Sequence, residues 1–105
     1  MSSQLQKIFW KTLRMHKNMV RIFYEKKFLK RVAKLPQQQQ NKLSKLFIIL
    51  QSNPFDPILH TKRLAHPLIG ILSFRITRDY RVTFRFLDEQ IIQLVDTGHR
   101  KDIYR

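Results

Sequence analysis

The clearest structural pattern in the chain is Ser73-Phe74-Arg75-Ile76-Thr77-Arg78-Asp79-Tyr80-Arg81-Val82-Thr83-Phe84-Arg85-Phe86, in which apolar side chains alternate with basic or hydroxyl ones. Alternation with a period of two is typical of a β-strand with one buried face. A turn through residues 77–79 keeps both apolar sets on one side, which predicts a hairpin with Arg75 directly opposite Arg81. Arg75, Arg81 and Arg85 would then share the open face. Because facing like charges destabilise paired strands, this face is expected to bind an anionic partner.

The composition limits what the rest of the molecule can be. The chain has 105 residues, enough for one domain, with a net charge of +14 and a pI near 10.9. This charge predicts an acidic partner, whether nucleic acid, an anionic membrane surface or an acidic protein. The absence of cysteine excludes a disulfide framework and a thiolate zinc site, and the four histidines are too dispersed for a metal site. The longest apolar run, residues 46–50, is too short for a signal peptide or a membrane span, so we expect a cytoplasmic protein.

Two helices are predicted before the hairpin. Residues 25–35 and 37–51 both carry apolar side chains at helical spacing, and Pro36 between them can end the first helix and begin the second. The turn cluster Asn53-Pro54-Phe55-Asp56-Pro57 stops the second helix, and no further helix is expected after it. Residues 19–24 are interpreted as a first strand, ahead of both helices.

Helices followed by strands indicate an α+β fold. Strands are expected near 71–77, 80–87 and 90–97. An N-terminal strand and a helical hairpin would then pack on one face of a small twisted antiparallel sheet, with the arginines emerging on the other face. Residues 1–18 are interpreted as an N-terminal extension, helical or disordered, of a domain that spans residues 19–105.

Five segments carry a resemblance to a known family by their order and spacing. They are the end of the helical hairpin at Asn53-Pro54-Phe55, Thr61-Lys62-Arg63-Leu64, Gly70 with residues 73–77, residues 79–84, and the tail Gly98-His99-Arg100-Lys101-Asp102-Ile103-Tyr104. Together they resemble the RelE/YafQ-type toxins of the RelE/ParE superfamily. Many of these toxins, which belong to type II toxin–antitoxin systems, are ribosome-dependent mRNA endonucleases.

The resemblance implies a RelE-like fold and a metal-independent endoribonuclease without a cofactor, which cleaves mRNA at the ribosome and is silenced by a cognate antitoxin. In such a reaction the ribose 2′-hydroxyl attacks the neighbouring phosphate, which requires proton transfer and cations that stabilise the phosphorane-like charge. The residues that match the family's catalytic positions are Arg75, Arg81, His99, Arg100 and Tyr104. Among them, Arg81 matches the transition-state arginine, His99 is the preferred acid or base, and Tyr104 matches an aromatic residue that orients the nucleotide.

Further basic residues are expected to contact the substrate backbone or ribosomal RNA, where many weak ionic contacts act together. The set comprises Lys62, Arg63, Arg85, Lys101, Lys26, Lys27 and Lys30. Asp79 is interpreted as a turn former or as an ion-pair partner of Arg81.

Two alternatives stay open because the chain departs from the family pattern. Where RelE carries a lysine two residues before the position of Arg75, this chain has Ser73, and the histidines of YafQ-type members near Lys62 and Arg75 are absent. One alternative is therefore a catalytically inactive homologue that binds RNA or ribosomes. The other is a gyrase poison of the ParE branch, which shares the fold but usually lacks the tail residues His99, Arg100 and Tyr104.

Overall fold

A five-stranded sheet carries the fold in a computed structural model that describes residues 19–104. The strands are β1 (Arg21–Tyr24), β2 (Lys62–Arg63), β3 (Leu72–Arg75), β4 (Tyr80–Asp88) and β5 (Ile91–His99), in the spatial order β1-β5-β4-β3-β2. Strands β3, β4 and β5 pair antiparallel, as predicted, and the short strand β2 also pairs antiparallel with β3. Strand β1 joins β5 in parallel and makes the sheet mixed. The predicted extension, residues 1–18, lies outside the described residues.

Two consecutive helices follow β1, as the apolar spacing predicts. Helix α1 spans Lys26–Ala33 and helix α2 spans Gln37–Ser52, with Pro36 at the N-terminal boundary of α2. The expectation that no helix follows the Asn53–Pro57 turn is wrong, because a 3₁₀ turn occupies Pro57–Leu59 and a four-residue helix, α3, occupies Arg100–Ile103. Among residues 19–104, no helix is long and apolar enough to cross a membrane.

The two helices and the apolar side of the sheet form one core. Its largest fully buried side chains include Phe28 of α1, Phe47 of α2, Phe74 of β3 and Phe84 of β4. Burying one such side chain contributes roughly 1.5–3 kcal/mol. The α+β architecture is therefore confirmed, with a helical layer packed on one face of the sheet.

The β3–β4 hairpin has the predicted register. Arg75 lies opposite Arg81, and Phe74 lies opposite Val82. Because successive side chains in a strand point to opposite faces, Arg75 and Arg81 extend away from the core face that Phe74 and Val82 occupy. The hairpin thus places both arginines on the face of the sheet opposite Phe74 and Val82.

A bulge in β5 adjusts the second hairpin. The register shifts by one residue between Thr83 and Phe84, so that Val95 is the extra residue between the partners of these two. Leu94 lies opposite Phe84 and Thr97 opposite Val82, and both are buried. The bulge therefore lets two residues of β5 that are three positions apart face the same core.

Candidate functional site

The centre of the candidate site is the arginine pair, Arg75 and Arg81. Arg81 is only 5% exposed and Arg75 is half-buried. The Nε atoms of both side chains are buried, and neither has a hydrogen-bond partner among residues 19–104. Two facing cations repel each other, and a buried donor without an acceptor costs free energy. A phosphate bound beside the two guanidinium groups would offset the repulsion between them, because its charge is opposite to theirs.

Helix α3 lies close to the β5 residue that pairs with Arg81. Gly98 is the β5 residue opposite Arg81, and a Cβ atom added there would lie 3.1 Å from Cγ2 of Ile103. The missing side chain at Gly98 therefore allows α3 to approach the sheet closely.

The start of α3 is attached to the β3–β4 turn. The Arg100 backbone N–H donates to the Asp79 carbonyl oxygen at 2.8 Å, and Arg100 Nε lies 3.6 Å from Asp79 Oδ1. Asp79 is thus a turn residue and an ion-pair partner, as expected, but it pairs with Arg100 and not with Arg81. Both side chains of this ion pair are substantially exposed, so its main effect is to orient Arg100 and not to stabilise the fold.

Tyr104 lies on the same face of the sheet as the arginine pair. Its hydroxyl donates to Ser73 Oγ at 3.0 Å, and Ser73 is fully buried two residues before Arg75 on β3. Lys62 is the β2 residue opposite Ser73, and its Nζ lies 5.8 Å from the centroid of the Tyr104 ring. Ser73, where the chain departs from the RelE pattern, therefore holds the near-terminal aromatic ring in place.

His99 is not brought together with the arginine pair. It lies opposite Tyr80, the two rings pack edge to face with centroids 5.4 Å apart, and Tyr80 packs against the core. The side chain therefore points to the helical side of the sheet, whereas Arg81 points to the other. His99 Nδ1 accepts a hydrogen bond from the Lys101 backbone N–H at 3.1 Å, which caps α3. This bond implies that the neutral ring carries its proton on Nε2.

Substitutions of His99 distinguish a role in capping α3 from a role in proton transfer. We expect His99→Asn to retain, within a few-fold, the RNA cleavage that the resemblance implies, and to leave the free energy of unfolding nearly unchanged, because asparagine is also a good N-cap. His99→Ala removes the cap and should lower the free energy of unfolding by about 1 kcal/mol. Chemical denaturation and a cleavage assay on both variants provide the measurement. A large loss of cleavage in a stably folded His99→Asn variant would instead assign the proton transfer to His99.

The remaining predicted RNA contacts divide between several surfaces. Arg85 lies on the face of Arg81, four residues along β4, and its Nε donates to Gln93 Oε1 at 2.8 Å. Lys27 at the start of α1 lines the same groove as Arg85 and Gln93. The other side chains of this set are exposed: Lys26 and Lys30 on α1, Lys101 on α3, and Lys62 and Arg63 on β2.

With this geometry established, the chain can be compared with known proteins. No protein-family model and no curated protein sequence matches the chain. Among solved structures, YafQ from E. coli strain BL21(DE3) superimposes with a TM-score of 0.68 at 20% identity, covering 82% of this chain and 99% of YafQ.

Two toxin–antitoxin complexes match to a similar extent. The RelBE2 complex from Mycobacterium tuberculosis gives a TM-score of 0.63 at 22% identity over 75% of this chain and 95% of the matched one. The archaeal RelE–RelB complex from Pyrococcus horikoshii OT3 gives a TM-score of 0.64 at 19% identity over 79% of this chain and 97% of the matched one. The predicted resemblance is thereby confirmed in three dimensions: this chain has the fold of the RelE/YafQ-type toxins.

Proposed function

We propose that this protein is the toxin of a toxin–antitoxin pair and that it cleaves mRNA at the ribosome without a metal ion. The observation that carries the proposal is the arginine pair, whose buried Nε donors have no partner among the described residues. Evolution seldom retains two facing, unpartnered cations for stability, since both the repulsion and the desolvation oppose folding. A scissile phosphate is the ligand that best satisfies them, because guanidinium groups match its oxygens in geometry and charge.

The arginine pair suits a transesterification of RNA. The ribose 2′-hydroxyl loses its proton as its oxygen forms a bond to the adjacent phosphorus. The bond to the 5′-oxygen of the next nucleotide breaks, that oxygen takes up a proton, and a cyclic phosphate and a 5′-hydroxyl end result. Negative charge accumulates on the phosphoryl oxygens as the new bond forms. Arg81 and Arg75 would donate to these oxygens, and a site that excludes water strengthens such donors.

The tail would hold the nucleotide in place. Tyr104 offers a ring on which a base can stack, and its bond to Ser73 fixes the ring before RNA arrives. Arg100, oriented by Asp79, would contact a neighbouring phosphate. His99 would act as a positioning residue, because it caps the helix that carries these side chains.

The proposed protein partner is an antitoxin whose acidic segment covers part of the cationic surface. A groove next to Arg75 is lined by aliphatic side chains, among them Leu46, Ile49 and Ile76. The lining also includes the cations Lys42, Lys45 and Arg78, and none of the described residues that line the groove is acidic. This combination fits an amphipathic acidic peptide, which would neutralise Arg75 as it binds.

The experiment that tests the proposal is cleavage of a defined mRNA by the purified protein, with and without programmed ribosomes, in the presence of a chelator. We expect cuts that require ribosomes, resist the chelator and leave a cyclic phosphate end. A matched mRNA with a single 2′-deoxy nucleotide at the cut position should stay intact there, because the nucleophile is missing. Cuts at that position in the 2′-deoxy substrate would refute the proposed chemistry.

A second candidate is a homologue that binds ribosomes or RNA without cutting. The observation that favours it is the position of His99 on the opposite side of the sheet from Arg81, which leaves this imidazole away from the arginine pair. In the same experiment this candidate predicts intact mRNA and protein that sediments with the ribosomes. Intact mRNA without ribosome binding would favour the gyrase alternative.

A further inference from the structure

Strand β2 carries a cation–aromatic contact on each of its two sides. Lys62 lies over Tyr104 on the face of the arginine pair. Arg63, the next residue, lies opposite Leu72 and therefore points to the other side, where its guanidinium carbon is 6.0 Å from the centroid of the Phe55 ring. The sheet ends at β2, so the two contacts lie on either side of an open edge.

Phe55 is exposed yet firmly held. Its side chain is 49% exposed, whereas Phe28, Phe47, Phe74 and Phe84 are almost completely buried. The residue therefore contributes little to the core for an aromatic of its size. Exposure of such a ring suggests a binding role.

Three contacts keep Phe55 in position. Its backbone N–H donates to Asn53 Oδ1 at 3.0 Å, and Thr61 Oγ1 donates to the Pro54 carbonyl oxygen, which attaches the turn to the chain just before β2. The Phe86 ring stacks nearly parallel to the Phe55 ring, at 13°, with centroids 6.0 Å apart. A ring fixed in this way loses little conformational freedom when a ligand stacks on it.

An exposed aromatic ring next to a cation is the combination that binds single-stranded nucleic acid. The ring stacks on a base of any sequence, and the cation contacts the backbone phosphate. Ile58 and Ile69 are also exposed but are aliphatic and offer no ring for stacking, whereas Phe23 has an exposed ring that no cation contacts among the described residues. The net charge of +14 favours a polyanion over a neutral ligand.

We propose that Phe55 and Arg63 form a second nucleotide subsite, in which a base of single-stranded RNA stacks on Phe55 and a phosphate contacts Arg63. The inference rests on the proposed function, because it assigns the same RNA strand to both sides of β2. Lys62 and Arg63 are consecutive residues of the edge strand, so an RNA strand that leaves Tyr104 would reach Phe55 by crossing the edge of the sheet at these two cations. The subsite lengthens the RNA footprint and does not select a sequence.

The test measures binding of fully 2′-O-methylated RNA, which cannot be cleaved, as a trinucleotide and as an octanucleotide. We expect Phe55→Leu to weaken octanucleotide binding about tenfold, because leucine packs against Phe86 but offers no ring for stacking. Trinucleotide binding at the arginine pair should be unchanged. The salt dependence should also be unchanged in Phe55→Leu, whereas Arg63→Gln should reduce its slope by about one.

Two further variants control for the loss of exposed apolar surface and for the presence of an aromatic ring. Ile58→Ala removes an exposed apolar side chain that has no stacking surface, and it should bind both oligonucleotides as the wild type does. Phe55→Trp should retain or strengthen octanucleotide binding, because its ring is larger. Thermal melting of each variant confirms that the fold is intact.

The outcomes separate this inference from the proposed function. Equal octanucleotide affinities for wild type and Phe55→Leu would overturn the subsite and leave this surface for a protein partner. Failure of the wild-type protein to bind either oligonucleotide would overturn it as well. Cleavage of mRNA together with those equal affinities would leave the proposed function standing. Intact mRNA together with a Phe55-dependent octanucleotide affinity would refute cleavage and support the subsite.

Discussion

Arg81→Met is expected to abolish RNA cleavage and, in the same variant, to raise the thermal stability of the protein. Arg81 is 5% exposed, lies opposite Arg75 across the hairpin and has a buried Nε without a partner among the described residues. Methionine keeps much of the length of the side chain but removes the repulsion and the unsatisfied donor. We expect the free energy of unfolding to rise by about 1 kcal/mol and the cleavage rate to fall by about a hundredfold or more.

The matched control for Arg81→Met is Arg85→Met. Arg85 lies on the same strand and face, but it is exposed and its Nε already donates to Gln93. Its substitution should change the free energy of unfolding by less than about 0.5 kcal/mol and reduce cleavage only through weaker backbone binding. Denaturant unfolding and single-turnover cleavage measure both effects. A less stable Arg81→Met variant would show that the arginine pair is not under electrostatic strain, and an active one would remove Arg81 from the mechanism.

Gly98→Val is expected to reduce cleavage by about a hundredfold by displacing the tail while leaving the sheet folded. A Cβ atom added at this position would lie only 3.1 Å from Ile103 Cγ2, and valine adds two methyl groups beyond it. Valine suits a β-strand, so β5 itself should tolerate it. The resulting shift of α3 would separate Tyr104 from Ser73. Cleavage of the programmed mRNA and far-UV circular dichroism would measure the two effects.

Gly70 provides a control in which a substitution strains the backbone and causes no steric clash. Gly70 has a φ of +88°, and no described atom lies within 4 Å of the position that a Cβ would occupy, so Gly70→Ala strains the backbone without a steric clash. It should cost roughly 1 kcal/mol of stability and leave the cleavage rate of the folded protein unchanged. Gly98→Ala meets the end of the flexible Ile103 side chain and should lie between wild type and Gly98→Val. Full cleavage by Gly98→Val would show that the close approach of α3 is not needed.

The arginine pair was predictable because it depends on local geometry. Period-two alternation and the length of the turn at residues 77–79 determine which residues of a hairpin face each other. The structure has that register, with Arg75 opposite Arg81. The burial of Arg81 was not predictable, because the exposure of a strand residue depends on which distant segments pack against it.

The remainder of the candidate site depends on contacts between distant segments. Tyr104 reaches Ser73 across 31 positions in the sequence, and Lys62 joins them only because β2 pairs with β3. Helix α3 itself has four residues, too short to be stable without tertiary contacts or to show a helical period. The direction of the His99 side chain likewise follows from its pairing with Tyr80, which a sequence pattern in the tail does not reveal.

The spacing of neighbouring residues is therefore enough to predict the α+β class, the helical hairpin, the antiparallel meander and the facing arginines. It does not predict that β1 joins β5 in parallel, that Ser73 holds Tyr104, or that His99 caps α3 on the side away from Arg81. These features depend on which distant surfaces are brought together when the core is buried. Local periodicity specifies the elements and their faces, and packing between distant parts of the chain assembles the site.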